Sequence, residues 1–125
     1  MTITADRIVQ VMERYAATVS SPAKDADAYA ALFTADAVQV DPYPSPPNVG
    51  RAAIRDFMQR SFDGCETMTF EVTSLHAVGD RAAITFHITI NSGMHIRGIE
   101  VFTITDDGLI SAVDAYWGEG DLTFD

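Results

Sequence analysis

The sequence predicts an α+β domain in which three N-terminal helices pack on one face of a curved, mainly antiparallel sheet. Apolar residues recur at helical spacing in the first half of the chain and at strand spacing from Met68 onward. Gly-Asp, Asn-Ser-Gly and Asp-Asp-Gly sequences separate the later strands as tight turns. A chain of 125 residues is long enough for one core and too short for two, so residues 1–125 should form a single domain.

Three segments have the spacing of amphipathic helices. The first covers residues 4–20, with Thr4 as N-cap, and its apolar stripe contains Ile8, Val11, Met12, Tyr15 and Val19. A short second helix is predicted from Asp25 to Phe33. A third is predicted from Arg51 to Phe62, and its buried stripe is expected to contain Ile54, Phe57, Met58 and Phe62.

Alternating apolar residues predict the strands of a meander. One strand begins at Met68 and ends before Gly79-Asp80. The others are predicted from Ala82 to Ile90, from Met94 to Ile104 and from Leu109 to Trp117. A shorter strand, Ala37 to Asp41, precedes the third helix.

Asp41 lies where that short strand meets a loop with four prolines in six residues. Val38 and Val40 share one face of the strand, and Asp41 belongs to the other. Because a residue before proline favours extended backbone, Asp41 should continue the strand and be held in place. Such a carboxylate can act as a general base, or it can be a solvated strand end.

Glu100 has the same strand parity as Ile96, Phe102 and Ile104, which puts a carboxyl group on an apolar face. Burial penalises ionisation, so the group would be paired or protonated. A protonated Glu100 could donate a hydrogen bond to an oxyanion. Alternatively, a bulge near Gly98 could turn Glu100 outward.

Tyr15 is on the inward stripe of the first helix, where its hydroxyl needs a partner. It could serve as a donor in the same site or be an ordinary core tyrosine. Tyr29, Tyr43 and Tyr116 are weaker candidates. A further apolar set is compatible with either a core or a pocket for a flat ligand, and it consists of Phe57, Met58, Phe86, Phe102 and Trp117.

Composition disfavours several function classes. The net charge of −10 argues against nucleic-acid partners and anionic membranes. A single cysteine, Cys65, excludes an intrachain disulfide, and with no signal peptide or membrane-length apolar run a soluble, cytoplasmic protein is expected. His76, His87 and His95 lie on separate strands without ligand spacing, so they are interpreted as solvated, and no metal or cofactor is expected.

Three segments carry a family resemblance: Arg14-Tyr15, the stretch from Ala31 to Phe57 around Val40-Asp41-Pro42, and Ala115 to Glu119. On these residues the chain resembles ketosteroid isomerases (steroid Δ-isomerases). These belong to the superfamily of cone-shaped domains similar to nuclear transport factor 2, also called SnoaL-like. The resemblance implies cofactor-independent conversion of 3-oxo-Δ5-steroids to 3-oxo-Δ4-steroids.

The resemblance also implies roles for individual residues. Asp41 matches the general base, Tyr15 matches the oxyanion-hole tyrosine, and Glu100 replaces an aspartate donor. The expected substrate-binding residues are Phe33, Phe57, Met58, Phe86, Phe102 and Trp117. Phe33 and Met58 stand where some members have tyrosines that support the catalytic phenol, so Tyr15 is expected to have fewer supporting partners.

A homodimer is expected as well, because Ile88, Ile90, Ile99 and Val101 suggest an apolar exposed sheet face. Two other readings stay open. One is a polyketide cyclase or epoxide hydrolase of the same fold, and the other is a non-catalytic ligand-binding or dimerisation domain.

Overall fold

The computed structural model describes residues 3–125, and in that range three α-helices and a short 3-10 helix (Glu119–Asp121) accompany a seven-stranded sheet. The helices are α1 (Ala5–Ser20), α2 (Ala26–Ala30) and α3 (Arg51–Asp63). The strands are β1 (Phe33–Val40), β2 (Asn48–Val49), β3 (Met68–Val78), β4 (Arg81–Ile90), β5 (Met94–Ile104), β6 (Ile110–Tyr116) and β7 (Leu122–Phe124). The predicted α+β class is confirmed.

The sheet has the strand order β2-β1-β6-β5-β4-β3, and β7 pairs with β5. Its pairs are antiparallel except β1 with β6, which run parallel. The β3–β4 register shifts between Val72 and Ser74, and the β5–β6 register shifts between Thr103 and Ile104. Because such irregularities increase strand twist and bending, they help to curve the sheet around its inner face.

The first helix forms as its sequence predicts. Thr4 caps α1 by accepting a hydrogen bond from the Arg7 backbone N–H at 3.2 Å. All five residues of its predicted apolar stripe are buried. Within residues 3–125, no helix is both long and apolar enough to cross a bilayer.

The second helix is shorter than predicted. It ends at Ala30, and Phe33, predicted to be helical, instead opens β1 opposite Ile110 of β6. The Arg51 guanidinium, at the start of α3, donates to the Phe33 carbonyl at 2.6 Å. Strand pairing and the Arg51 side chain both bind the backbone of Phe33. Tertiary contacts therefore determine that this segment is a strand, because its local sequence pattern fits a helix or a strand.

Two strands of two and three residues, β2 and β7, were not predicted. The partner on one side of β5 changes along the strand. Residues Met94 to Ile96 pair with β7, and residues Ile99 to Ile104 pair with β6. Gly98 lies at this change. A Cβ atom at Gly98 would lie 2.5 Å from the Tyr116 carbonyl oxygen and 2.9 Å from Trp117 Cβ. The missing side chain therefore lets Tyr116 and Trp117 pack closely against β5.

The outer face of the sheet differs from prediction in two ways. Ile88 and Ile90 line an internal cavity and so do not contribute to the outer face, whereas Ile99 is 46% exposed there. The histidines His87 and His95 are half-buried, not separately solvated, because His87 Nε2 and His95 Nδ1 lie 2.9 Å apart. His95 Nε2 also contacts Asp125 Oδ1 at 2.9 Å.

We predict that Gly98→Ala lowers the free energy of unfolding by about 1–3 kcal/mol, as overpacking does, since the backbone of Tyr116 must move away. Gly93→Ala is the matched control, because among residues 3–125 no atom outside the two adjacent residues lies within 4 Å of the Cβ position at Gly93. Urea unfolding of both variants tests this prediction. Equal losses in the two would show that the close packing of Tyr116 on Gly98 is not the constraint.

Candidate active site

A cavity of about 230 Å³ lies on the inner face of the sheet, closed by α1 and α3. Its polar lining residues are Tyr15, Asp41, Ser61 and Glu100. Apolar residues form the rest of the wall: Val19, Phe57, Met58, Met68, Phe70, Phe86, Ile88, Ile90, Ile96, Ala115 and Trp117. The three polar residues singled out from the sequence are therefore brought to one apolar cavity.

Four of the six apolar residues expected to bind substrate line this cavity: Phe57, Met58, Phe86 and Trp117. Phe33 and Phe102 do not line it and are fully buried behind it. The Phe102 ring packs edge-on against Tyr15 at 5.0 Å between centroids, and Phe33 packs on Tyr29 at 5.1 Å. The structure therefore gives these two residues packing contacts with the tyrosines and no place in the cavity wall.

Asp41 directly follows β1, on the face of that strand that turns inward. Ala37 and Gln39 of this face are buried, whereas Val38 is exposed. Val38 thus faces outward, and Asp41, which lines the cavity, is not a solvated strand end. The Trp117 indole N–H donates to Asp41 Oδ1 at 3.1 Å.

Burial raises the pKa of Asp41 from 3.8 to about 6, because the carboxylate loses water, while the hydrogen bond from Trp117 opposes the rise. A carboxylate with a pKa close to neutrality retains a proton affinity suited to general base catalysis. The side chain is still mainly ionised above this value. Asp41 therefore has the chemistry of a base at neutral pH.

Glu100 points inward from β5, as its parity predicts. Its residue is 3% exposed, and the β4–β5 pairing runs unbroken past Gly98, so no bulge turns it outward. Burial raises the pKa of Glu100 well above its usual range, and repulsion from Asp41 raises it further. Tyr15 Oη lies 3.4 Å from Glu100 Oε2.

Tyr15 is held in place by aromatic packing on both Phe70 and Phe102, with ring centroids 5.4 and 5.0 Å away. Burial raises the pKa of Tyr15 well above 10, and the nearby Glu100 adds to this effect. The phenol therefore keeps its proton. It can donate a hydrogen bond to an acceptor in the cavity.

The structure contains a group of supporting residues of which the sequence analysis named only Tyr29, as a weaker candidate. Tyr29 Oη lies 3.1 Å from Tyr15 Oη, and Gln39 Nε2 donates to Tyr29 Oη at 2.9 Å. Asn48 Nδ2 in turn donates to Gln39 Oε1 at 3.0 Å. The expectation that Tyr15 has fewer partners was therefore wrong. The sequence did hold one signal for Gln39: it has the same strand parity as Asp41, so both side chains lie on the same face of β1.

The site combines a base and hydroxyl-bearing groups in an apolar enclosure. Such a set can remove a proton from carbon while hydrogen bonds stabilise the oxygen that gains charge. Arg97, by contrast, is exposed on the outer face, away from Glu100. Residues 3–125 hold no group of three or more His, Cys, Asp or Glu side chains arranged to bind a metal ion.

Comparisons with known proteins agree with this architecture. The chain is 35% identical over 98 residues to the steroid Δ-isomerase of Nocardioides simplex, covering 76% of this chain and 78% of that protein. It is also similar to the structure of SalBIII, an epoxide hydrolase/cyclase-like enzyme with a role in pyran ring formation in the polyether salinomycin. That match has a TM-score of 0.84 and 26% identity, over 95% of this chain and 96% of that one.

A second structure, RV0760c from Mycobacterium tuberculosis, shares the fold with a TM-score of 0.82 at 19% identity, over 94% of this chain and 99% of that one. The family model for the SnoaL-like domain matches residues 12–113, which contain Tyr15, Asp41 and Glu100. With that match and the similarity to the isomerase, the chain belongs to the family of SnoaL-like domains.

Proposed function

We propose that this chain is a steroid Δ-isomerase, which moves the carbon-carbon double bond of a 3-oxo-Δ5-steroid into conjugation without a cofactor. The observation that carries the proposal is the placement of Asp41, Tyr15 and Glu100 around one apolar cavity. The 35% identity to the Nocardioides simplex isomerase supports the same assignment.

In the proposed reaction, Asp41 removes a proton from the carbon between the carbonyl and the double bond. The electrons of that C–H bond move toward the carbonyl oxygen and form a dienolate. Tyr15 and protonated Glu100 donate hydrogen bonds to this oxygen. Asp41 then returns its proton two carbons away, which leaves the conjugated enone and restores the carboxylate.

An apolar, flat substrate suits the walls of the cavity. The volume of about 230 Å³ is below the roughly 300–1,000 Å³ common for ligand sites, so the ligand should extend into the mouth. Met58 and Met68 line the cavity, and their unbranched side chains can adjust to its shape. A cytoplasmic location belongs to the same proposal.

A second candidate function is epoxide opening with ring closure. The 26% identity to SalBIII over most of both chains favours it, as does a raised-pKa acid beside a base in one cavity. Glu100 would then protonate the epoxide oxygen while Asp41 takes a proton from the attacking hydroxyl. Simple hydrolysis of an epoxide would call for an arginine between two acids to hold the attacking water. Arg97 is exposed on the outer face and so does not supply it.

One assay separates these functions from simple ligand binding. Incubation with 5-androstene-3,17-dione should produce the ultraviolet absorbance of a conjugated enone. A domain that only binds the steroid would produce no enone absorbance, and the steroid spectrum would change only by the small shift that binding causes. A protein that opens a hydroxy-epoxide but forms no enone would support the second candidate instead.

Asp41→Asn is predicted to lower turnover by about a hundredfold to ten-thousandfold, the usual contribution of a general base. Steroid affinity should change little, because shape and the Trp117 hydrogen bond can persist. Asp36→Asn, an exposed aspartate of the same strand, is the matched control and should retain activity. Near wild-type turnover in Asp41→Asn would remove Asp41 from the mechanism.

The same variant should be more stable than wild type in alkaline solution. The folded-state pKa of Asp41 is raised from 3.8 to about 6, so its favourable contribution is complete below about pH 4 and is lost as pH rises through 6. Asp41→Asn should therefore exceed the wild-type free energy of unfolding by on the order of 3 kcal/mol at pH 8. The difference should vanish near pH 4 in urea unfolding.

Glu100→Gln is predicted to lose little turnover, because an amide keeps the length and a donor. Glu100→Ala should lose on the order of a hundredfold, as when an oxyanion donor is removed. If Glu100 works as a carboxylate, the two variants will be damaged alike. An infrared carbonyl band of protonated Glu100 in the ligand complex, absent from Glu100→Gln, gives a direct check.

We also propose a homodimer formed through the outer face of the sheet, where Ile99 is 46% exposed. Light scattering at assay concentration should give twice the mass of the 13.6 kDa chain. Ile99→Lys should shift the protein toward monomer, whereas Val78→Lys, at the exposed end of β3, should not. A wild-type monomer would contradict this proposal.

A further inference from the structure

Four hydrogen bonds connect the half-buried Asn48 of β2 to the cavity, passing through Gln39, Tyr29 and Tyr15 to Glu100. From this geometry we infer that Gln39 and Tyr29 are positioning residues that point the Tyr15 hydroxyl hydrogen into the cavity. The inference deepens the proposed isomerase function, since it assigns residues that set the donor strength of the oxyanion site. It rests on the order of donors along the chain.

The direction of the chain begins with an amide. Gln39 Nε2 can only donate, so Tyr29 Oη must accept its hydrogen bond at 2.9 Å. With Asn48 oriented as it is, its Nδ2 lies 3.0 Å from Gln39 Oε1, and a flipped Gln39 amide would set N–H groups against N–H groups. The observed arrangement instead pairs each amide donor with an acceptor.

The hydrogen of Tyr29 then has one place to go. Among the described residues, Tyr29 Oη has two hydrogen-bond partners, Gln39 and Tyr15. If Tyr15 donated to Tyr29, the hydroxyl hydrogen of Tyr29 would be left without an acceptor in a fully buried position, which is costly. Tyr29 therefore donates to Tyr15.

This order leaves the hydrogen of Tyr15 directed at Glu100 or at a ligand oxygen. Tyr15 becomes a better donor because its own oxygen already accepts a hydrogen bond, and such chains strengthen one another. The effect grows as Tyr15 shares its proton with an oxyanion. Bulk water does not reach the partners, since Tyr29 and Gln39 are 0% and 1% exposed.

A purely structural reading makes a different prediction. Buried polar groups need partners whatever their function, so loss of Tyr29 or Gln39 would then affect folding alone. The test must therefore include a property of the bound ligand that folding stability does not change. Ionisation of a bound naphthol is such a property, because it reports how strongly the site stabilises an oxygen anion.

The experiment compares Tyr29→Phe, Gln39→Met and the double variant in the full chain. The fraction of bound 2-naphthol that is ionised is read from its absorption spectrum, and turnover is measured separately with the steroid. Ile8→Val, which removes a methylene from the same core at a fully buried site, controls for general destabilisation. It should leave both readouts at wild-type values.

Tyr29→Phe should lower the ratio of ionised to neutral naphthol and the turnover by about threefold to tenfold, the value of one hydrogen bond. Gln39→Met should act in the same direction, but more weakly. Because Gln39 acts through Tyr29, the double variant should match Tyr29→Phe. Additive losses, or unchanged ionisation in Tyr29→Phe, would overturn the inference, as would a wild type that does not ionise naphthol at all.

The two proposals can fail separately. A wild type that ionises naphthol, loses this in Tyr29→Phe and forms no enone from steroid would retain the positioning roles and reject the isomerase function. A wild type that isomerises steroid while every variant ionises naphthol equally would reject the positioning roles alone.

Discussion

The site depends on one electrostatic constraint: a largely apolar cavity holds two carboxyl groups, and the ionised form of one penalises ionisation of the other. Burial raises the pKa of both Asp41 and Glu100, and repulsion from Asp41 adds to the rise at Glu100. Asp41 has an N–H donor in Trp117 and keeps a pKa of about 6. Glu100 is buried more completely, so in our account it is the carboxyl group that stays neutral. Environment thus divides two similar groups into a base and a donor.

The fold supplies this environment at a cost in stability. The end of β1 delivers Asp41 to the interior. Gly98 leaves room for Tyr116 and Trp117 to pack closely against β5, and Trp117 donates a hydrogen bond to Asp41. Ionised Asp41 then makes the native state less stable at neutral pH than a neutral residue would. The aromatic contacts around Tyr15 and the hydrogen bonds through Tyr29 compensate by fixing the polar groups in one arrangement.

Local pattern in the sequence predicted most elements and the inward direction of Glu100. The long strand β5 has a clean alternation, and a charged residue in register with Ile96 and Phe102 has no other interpretation once the strand is continuous. The roles of Asp41 and Tyr15 came from resemblance combined with position. They remain proposals that the cavity geometry supports.

The sequence failed where tertiary context outweighs local pattern. In β1 the alternation correctly placed the valines and Asp41 on opposite faces, but it could not show which face is buried. Gln39 and Asp41 face inward and Val38 faces solvent. The supporting role of Tyr29 could not be found, because it depends on α2 ending before Phe33 and bringing Tyr29 against Tyr15. Short strands such as β7 form through pairing partners and carry no pattern of their own.

The measurement that tests the account most directly is a titration of the two carboxyl groups by ¹³C nuclear magnetic resonance, with Asp41→Asn and Glu100→Gln used for assignment. We expect the Asp41 signal to titrate near pH 6 and the Glu100 signal to keep the chemical shift of a protonated acid at pH 7. Two carboxylate signals at pH 7 would contradict the division of the site into one base and one neutral donor.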